Sequence, residues 1–156
     1  MQKLTPCLWF NFNADAAVEH YLGIFKNGEV LEVTHYGDAV PSLKGKILTM
    51  RFVIEGQEFL ALNAGPQFPF TEAISIAVDC ADQAEVDRLW SALSEGGEEG
   101  PCGWLKDRYG LSWQVVPAEM TRMMQQGDPE QQERVMAAVL GMKKLDLATL
   151  QQAYDG

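Results

Sequence analysis

The sequence predicts an α+β fold of two βαβββ modules followed by a helical C-terminal tail. Three observations carry this. The chain repeats itself at a spacing of 68 residues: Leu8, Phe10 and Phe12 recur as Ile76, Val78 and Cys80; Ala16, Val18, Tyr21, Leu22 and Phe25 recur as Ala84, Val86, Leu89, Trp90 and Leu93; Gly28 recurs as Gly96. In both copies an apolar alternation of period 2 gives way, after a short polar break, to apolar residues at i, i+3, i+4 and i+7, as a strand feeding an amphipathic helix should. After Pro117 the pattern becomes helical only. A supersecondary unit repeated in so short a chain predicts two similar modules about a pseudo-two-fold axis, with any ligand site where they meet.

The first strand is expected over Thr5 to Phe12, and its helix over Ala14 to Lys26, with Asn13 as N-cap and Gly28 beyond the end. Val30 to Tyr36 and Ile47 to Ile54 read as strands flanking a turn-rich loop, Gly37 to Gly45. Glu55-Gly56-Gln57 reads as a tight hairpin into a strand from Phe59 to Asn63. Gly65, Pro66 and Pro69 make Ala64 to Thr71 a connector. The second module repeats the order: strand Ala73 to Cys80, helix Asp82 to Ser94, a turn or short edge strand at Gly96 to Gly100, then Trp104 to Tyr109 and Leu111 to Val116 as a hairpin around Gly110. This gives modules at 1–65 and 66–117 and a tail at 118–156 within one structural domain. In the tail, Asp128-Pro129-Glu130 is a helix start with a side-chain cap, proline at the first position and an acid in the first turn. Val135, Met136, Val139 and Leu140 share one face, and Leu145, Leu147 and Leu150 begin another short helix. Met120, Met123, Met124, Met136 and Met142 read either as flexible core packing or a subunit contact, or as an adaptable binding surface.

At 156 residues, with 47% hydrophobic and 22% charged residues, the chain can bury a core without staples. A net charge of −10, with only twelve Lys and Arg spread along the chain, argues against nucleic acid and against an anionic membrane surface. The N-terminus has no apolar stretch of signal-peptide length and no run approaches the ~20 residues of a membrane span, so a cytoplasmic protein is expected. Cys7, Cys80 and Cys102 are too few and too widely spaced for a disulfide framework or a zinc motif. Gly45-Lys46 lacks the following hydroxyl of a phosphate loop, and Gly96-Gly97-Glu98-Glu99-Gly100 follows a helix where a dinucleotide or adenosyl-cofactor loop would join a strand to a helix. No GxSxG or HExxH occurs. His20 falls within the first helix; His35, on a strand near a loop, is the histidine placed to line a ligand site.

The tracts Pro6-Cys7-Leu8-Trp9-Phe10, Phe59 to Pro66, Phe70 to Ser75, Cys102 to Gly110 with Ser112 to Pro117, and Lys143-Lys144-Leu145-Asp146 resemble the vicinal oxygen chelate superfamily, the group of glyoxalase I, bleomycin-resistance proteins, fosfomycin-resistance proteins and extradiol dioxygenases. More narrowly the chain resembles the PhnB-like group, labelled demethylubiquinone methyltransferase. The similarity covers nearly the whole chain and is most specific from Cys102 to Pro117. It implies two βαβββ modules whose strands curve into a cleft, and it raises the question of a metal. Enzymes of the superfamily hold a divalent ion with His, Gln or Glu from the first and last strands of the modules, where the ion acts as a Lewis acid.

Strand alternation locates those positions. Leu8 and Phe10, and Ile76 and Val78, should face their helices, which turns Cys7, Trp9 and Asn11, and Ser75, Ala77 and Asp79, toward the cleft. The repeat pairs Cys7 with Ser75. By the resemblance, Gln114 stands where a glutamate ligand often does, and the matching place in the first module is Ala61, or Leu60 if the register slips by one. The set Cys7, Ala61, Ser75 and Gln114 has no imidazole and no carboxylate, so no metal and no other cofactor is expected. Three readings follow: a metal-independent cleft for a small molecule, lined by Trp9, Asn63, Ser75 and Gln114; a metal-dependent isomerase, lyase or transferase of the glyoxalase type; or an interaction protein whose cleft is filled by its own Phe68 and Phe70. Methyl transfer, as the label says, is a further alternative. A homodimer is expected from the resemblance and from the apolar tail, and the modules could pair within one chain or across the dimer.

Overall fold

In the computed structural model, which describes residues 2–156, each copy of the repeat becomes a four-stranded sheet with one helix against it. The chain divides into two compact units, Met1–Pro69 and Phe70–Gly156, with the boundary inside the Pro/Gly-rich connector. The first contains β1 (Cys7–Phe10), α1 (Ala14–Ile24), β2 (Glu29–His35), β3 (Ile47–Ile54) and β4 (Gln57–Asn63), in the sheet order β1-β4-β3-β2. The second contains β5 (Ser75–Cys80), α2 (Gln83–Ser94), β6 (Glu98–Glu99), β7 (Trp104–Lys106) and β8 (Ser112–Pro117), in the order β5-β8-β7-β6. The two orders are the same topology written twice: the first strand of each unit pairs in parallel with the last, and the other pairs are antiparallel.

The repeat is a repeat of core positions. Val18, Tyr21 and Phe25 are buried in the first unit, and their counterparts Val86, Leu89 and Leu93 are buried in the second. Tyr21 of α1 stacks on Phe52 of β3 at 6.4 Å, and Phe52 on Phe59 of β4 at 5.5 Å, so the α1 side of the first sheet is its core. The β3–β4 hairpin turns through Glu55 and Gly56, both at positive φ, as a two-residue turn matched to strand twist requires. In the second unit Gly97 enters β6 where any Cβ would lie 2.1 Å from the Lys106 carbonyl oxygen, so only glycine permits that approach.

Two caps separate the units. Asn13 occupies the N-cap position of α1 but its side chain makes no capping bond. The acceptor comes from Asn63, whose Oδ1 takes the Ala14 N–H at 2.9 Å. Helix α2 follows the expected pattern, with Asp82 Oδ1 accepting from the Glu85 N–H at 2.9 Å. The strands are shorter than expected at three places: β1 spans four residues, β5 starts at Ser75, and β7 stops at Lys106. Asp107 stops β7, because its buried carboxylate gathers the Tyr109 N–H (2.8 Å), the Leu111 N–H (3.1 Å) and the Trp113 indole N–H (2.9 Å) and folds the chain into a turn around Gly110.

The tail forms α3 (Ala118–Gln126), α4 (Pro129–Leu140) and α5 (Leu147–Asp155) within the second unit. Asp128 and Gln131 form a reciprocal capping box at α4. Met123, Val135, Val139, Leu145 and Leu150 make a core of their own, with Met120, Met124, Met142, Leu147 and Tyr154 packed against it. The methionines are therefore packing residues, Met136 excepted, which is exposed. The apolar surplus that suggested a subunit contact is largely consumed inside the tail. No helix among the described residues is long and apolar enough to cross a membrane.

Candidate functional site

Each sheet has one face against its helix and one facing away, and sequence reasoning placed the site on the latter. On the first sheet, Cys7 lies opposite Leu60 and Trp9 opposite Leu62, while Leu8 lies opposite Ala61 and Phe10 opposite Asn63. Leu8, Phe10, Ala61 and Asn63 are buried on the α1 side. Two expected cleft residues are thereby corrected. Ala61 packs in the core, and the residue beside Cys7 on the open face is Leu60. Asn63 is buried as well: besides capping α1 it donates from Nδ2 to the Ile47 carbonyl at 3.2 Å, so its amide is committed to the fold. Its own carbonyl accepts the Tyr36 hydroxyl.

The rest of that open face is occupied from within the unit. Trp9 donates its indole N–H to the Gly65 carbonyl at 2.9 Å and meets Phe68 edge-to-face at 4.9 Å. Phe68, although 64% exposed, thus covers part of the face from the connector. Nearby, the Arg51 guanidinium lies 3.6 Å from Glu58, 4.0 Å from Glu32 and 3.4 Å from the Thr5 hydroxyl, while Thr34 and Thr49 share a hydrogen bond across β2 and β3. Cys7 is exposed, yet desolvation of its sulfur raises the thiol pKa above the ordinary value, which lowers its thiolate fraction. His35 is exposed on β2, and His20 sits half-buried in α1 beside Tyr21.

On the second sheet the expected pair is assembled: the Gln114 amide donates to the Ser75 hydroxyl at 2.9 Å. The strand pairing puts Ala77 opposite Gln114 and Ser75 opposite Ser112. Because Trp9 and Leu62 are the corresponding pair in the first unit, Leu62 is the counterpart of Gln114, and Leu60 that of Ser112. Trp113, between them, is buried toward α2 with Leu105 and Val115.

Beside this pair lies a pocket of about 300 Å³ that the sequence did not announce. Its lining includes Glu72 from the connector, Glu98 of β6, Trp104 and Lys106 of β7, and Ser112 of β8. Lys106 is the cross-strand neighbour of both Ser112 and Glu98, and its ammonium pairs with the Glu72 carboxylate. That pairing holds the Glu72 carboxyl below its usual range and pushes the Lys106 ammonium pKa up. Glu99, on the other side of β6, accepts the Trp90 indole N–H at 2.9 Å. Ser112 is 1% exposed and its Oγ has no hydrogen-bond partner. A buried hydroxyl left unpaired costs about 1–3 kcal/mol. Alternation with Gln114 was the signal that could have found it, since both belong to one face of β8.

The donors that the first and last strands place on the open faces are the Cys7 thiol, the Ser75 and Ser112 hydroxyls and the Gln114 amide, with Leu60 and Leu62 in place of further donors. Hard divalent cations need charged oxygen ligands to offset their dehydration, and the donors of neither unit fit one. Among the described residues no group of three or more His, Cys, Asp or Glu could hold a metal ion.

The family described as 3-demethylubiquinone-9 3-methyltransferase matches residues 2–116. Among solved structures, a PhnB protein of Bacillus cereus described by the same methyltransferase name is 30% identical, with a TM-score of 0.67, over 75% of this chain and 100% of that one. A protein of Pseudomonas aeruginosa is 27% identical, with a TM-score of 0.60, over 72% of this chain and 95% of that one. The fosfomycin resistance protein FosX of Listeria monocytogenes, at 17% identity and a TM-score of 0.51 over 78% of this chain and 96% of that one, shares the fold. No curated protein matches the chain.

Proposed function

The chain belongs to the 3-demethylubiquinone-9 3-methyltransferase family, the PhnB-like branch of the vicinal oxygen chelate superfamily, and on that premise we propose that it binds a small molecule, without a metal, on the open face of its second sheet. The observation that carries this reading is the buried, unpartnered Ser112 hydroxyl in a pocket beside the Ser75–Gln114 pair. The first sheet supports the same reading by contrast, because Phe68 and the Arg51 ion pairs already occupy its open face.

Metal-assisted isomerase, lyase or transferase chemistry is not supported by the neutral donors at the strand positions. Methyl transfer, which the family's name describes, would need a place for an adenosyl cofactor. The glycine-rich segment Gly96 to Gly100 contains β6 and leads from α2 toward β7, not from a strand to a helix N-terminus, and gives no such cradle.

The test is a fragment screen by two-dimensional amide NMR on the full chain, with and without EDTA, on protein purified without affinity tag or chelator and analysed for metals. Binding that perturbs β5, β7 and β8 and is indifferent to EDTA is expected. Perturbations that appear only after one divalent metal is added would replace this reading with the metal-dependent one.

A further inference from the structure

The pocket's charge identifies the class of molecule it takes, an inference that rests on the binding reading above. Two carboxylates, Glu72 and Glu98, face it against a single ammonium, that of Lys106. Lys106 lies between them, paired with Glu72 and cross-strand from Glu98. The protein thus holds one alkylammonium of its own in the pocket and still leaves an excess of negative charge there. An anion entering to meet Lys106 would come up against both carboxylates, whereas a cation reduces their mutual repulsion. Trp104, half-buried on β7, adds an indole surface suited to a cation or an aryl group. The Ser112 hydroxyl on the floor can accept an N–H.

We infer that the pocket binds a small protonated primary amine carrying an aromatic or apolar group, with the ammonium between Glu98, Glu72 and the Ser112 hydroxyl and the apolar part along Trp104. A primary ammonium offers three N–H groups to these acceptors, which a quaternary one lacks. The volume of about 300 Å³ is at the small end of ligand pockets, so a single-ring amine fits it better than a large polycyclic ligand.

The experiment titrates the full chain, at low ionic strength and neutral pH, with three probes of nearly one shape: phenethylammonium, 2-phenylethanol and phenylacetate. Amide NMR and calorimetry provide the readouts. Phenethylammonium should bind at least tenfold tighter than the alcohol, perturb Trp104 and Ser112, and weaken as salt is added, while phenylacetate should not bind. Glu98→Gln and Ser112→Ala should each weaken the amine severalfold. Lys106→Met should tighten it severalfold, because the competing ammonium is gone and Glu72 is released. Loss of amine binding in Lys106→Met would show that Lys106 does not compete with the ligand, and tighter binding of phenylacetate would make this an anion site; either overturns the inference while leaving the binding reading standing. Equal affinity for the amine and the alcohol would do the same. Silence toward all three probes overturns it too, and the fragment screen then decides whether the binding reading falls with it.

Discussion

The two sheets share one topology and use it differently. At matching positions the first has Cys7, Leu60 and Leu62 where the second has Ser75, Ser112 and Gln114. The core positions of the repeat share their apolar character, while the first and last strands present Cys7, Leu60 and Leu62 on one open face and Ser75, Ser112 and Gln114 on the other. In the first unit the connector returns over Trp9 through Phe68; in the second it contributes Glu72 to a pocket wall. A duplicated fold needs only its helix-facing residues to stay foldable, which leaves the opposite face of each copy free to specialise.

The largest test of this comparison removes the residue that shapes the hairpin of the second sheet. Asp107→Ala takes away the acceptor of three hydrogen bonds, two of them buried. A loss of about 4 kcal/mol in urea unfolding is expected, with Asp107→Asn milder. A loss below about 1 kcal/mol would show that the turn holds without it.

Next in size is a gain. Ser75→His with Gln114→Glu should create zinc affinity, because the two side chains already touch. At ~100-fold saturation the variant would gain about 2.7 kcal/mol, read as a zinc-dependent rise in melting temperature. The unmodified chain should melt at the same temperature with and without EDTA. No zinc response in a folded variant would mean that the pair does not point into one space.

The first sheet has its own fulcrum in Asn63. Asn63→Ala leaves the Ala14 N–H and the Ile47 carbonyl without their partner and should cost about 2 kcal/mol. Smaller again is Phe68→Ala, expected to cost about 1 kcal/mol and to red-shift tryptophan emission by uncovering Trp9. If that variant began to bind fragments on the first sheet, the contrast between the faces would reduce to one side chain.

The smallest effect is one of pH. Desolvation, with Glu85 and Asp79 adding to it, pushes the Cys80 thiol from 9.0 up to about 11. The folded state holds this proton more tightly than the unfolded state, so stability is unaffected below pH 9 and falls as the pH rises from 9 toward 11. Cys80→Ala should flatten that alkaline decline in thermal melts. At pH 8 a thiol reagent should modify Cys7 well before Cys80.

The repeat was legible because strand alternation and helical spacing set apolar against polar residues in both copies. The equivalence of Cys7 and Ser75 followed directly and holds in the pairing. The register of β4 was not legible, because Phe59, Leu60, Ala61 and Leu62 are all apolar and alternation has no contrast there; Ala61 was accordingly assigned to the wrong face. Asn63 looked like a pocket residue because it is polar at the end of an apolar strand. Its partner, the first turn of α1, lies 49 residues away in the chain. The second-sheet pair was found, whereas the pocket next to it was not, since it depends on Glu72, Glu98 and Ser112 converging from three separate segments.

One seam in the second unit ties the tail to the rest of that unit. The family match stops at residue 116, just before α3, yet the tail is stitched to the matched part through polar groups. Gln83 donates to the Leu145 carbonyl and accepts the Leu147 N–H, and the Cys102 and Gly103 amides donate to the carbonyls of Met142 and Lys143. Gly103, at φ +81°, sits so near Leu145 that a Cβ there would lie 2.9 Å from it. The glutamine, the glycine and the segment 142–147 therefore form one packed unit. A family member that ends near residue 117 has no need of a glutamine at the first turn of its second helix, and grafting this tail onto such a chain should succeed only if that glutamine is transferred with it.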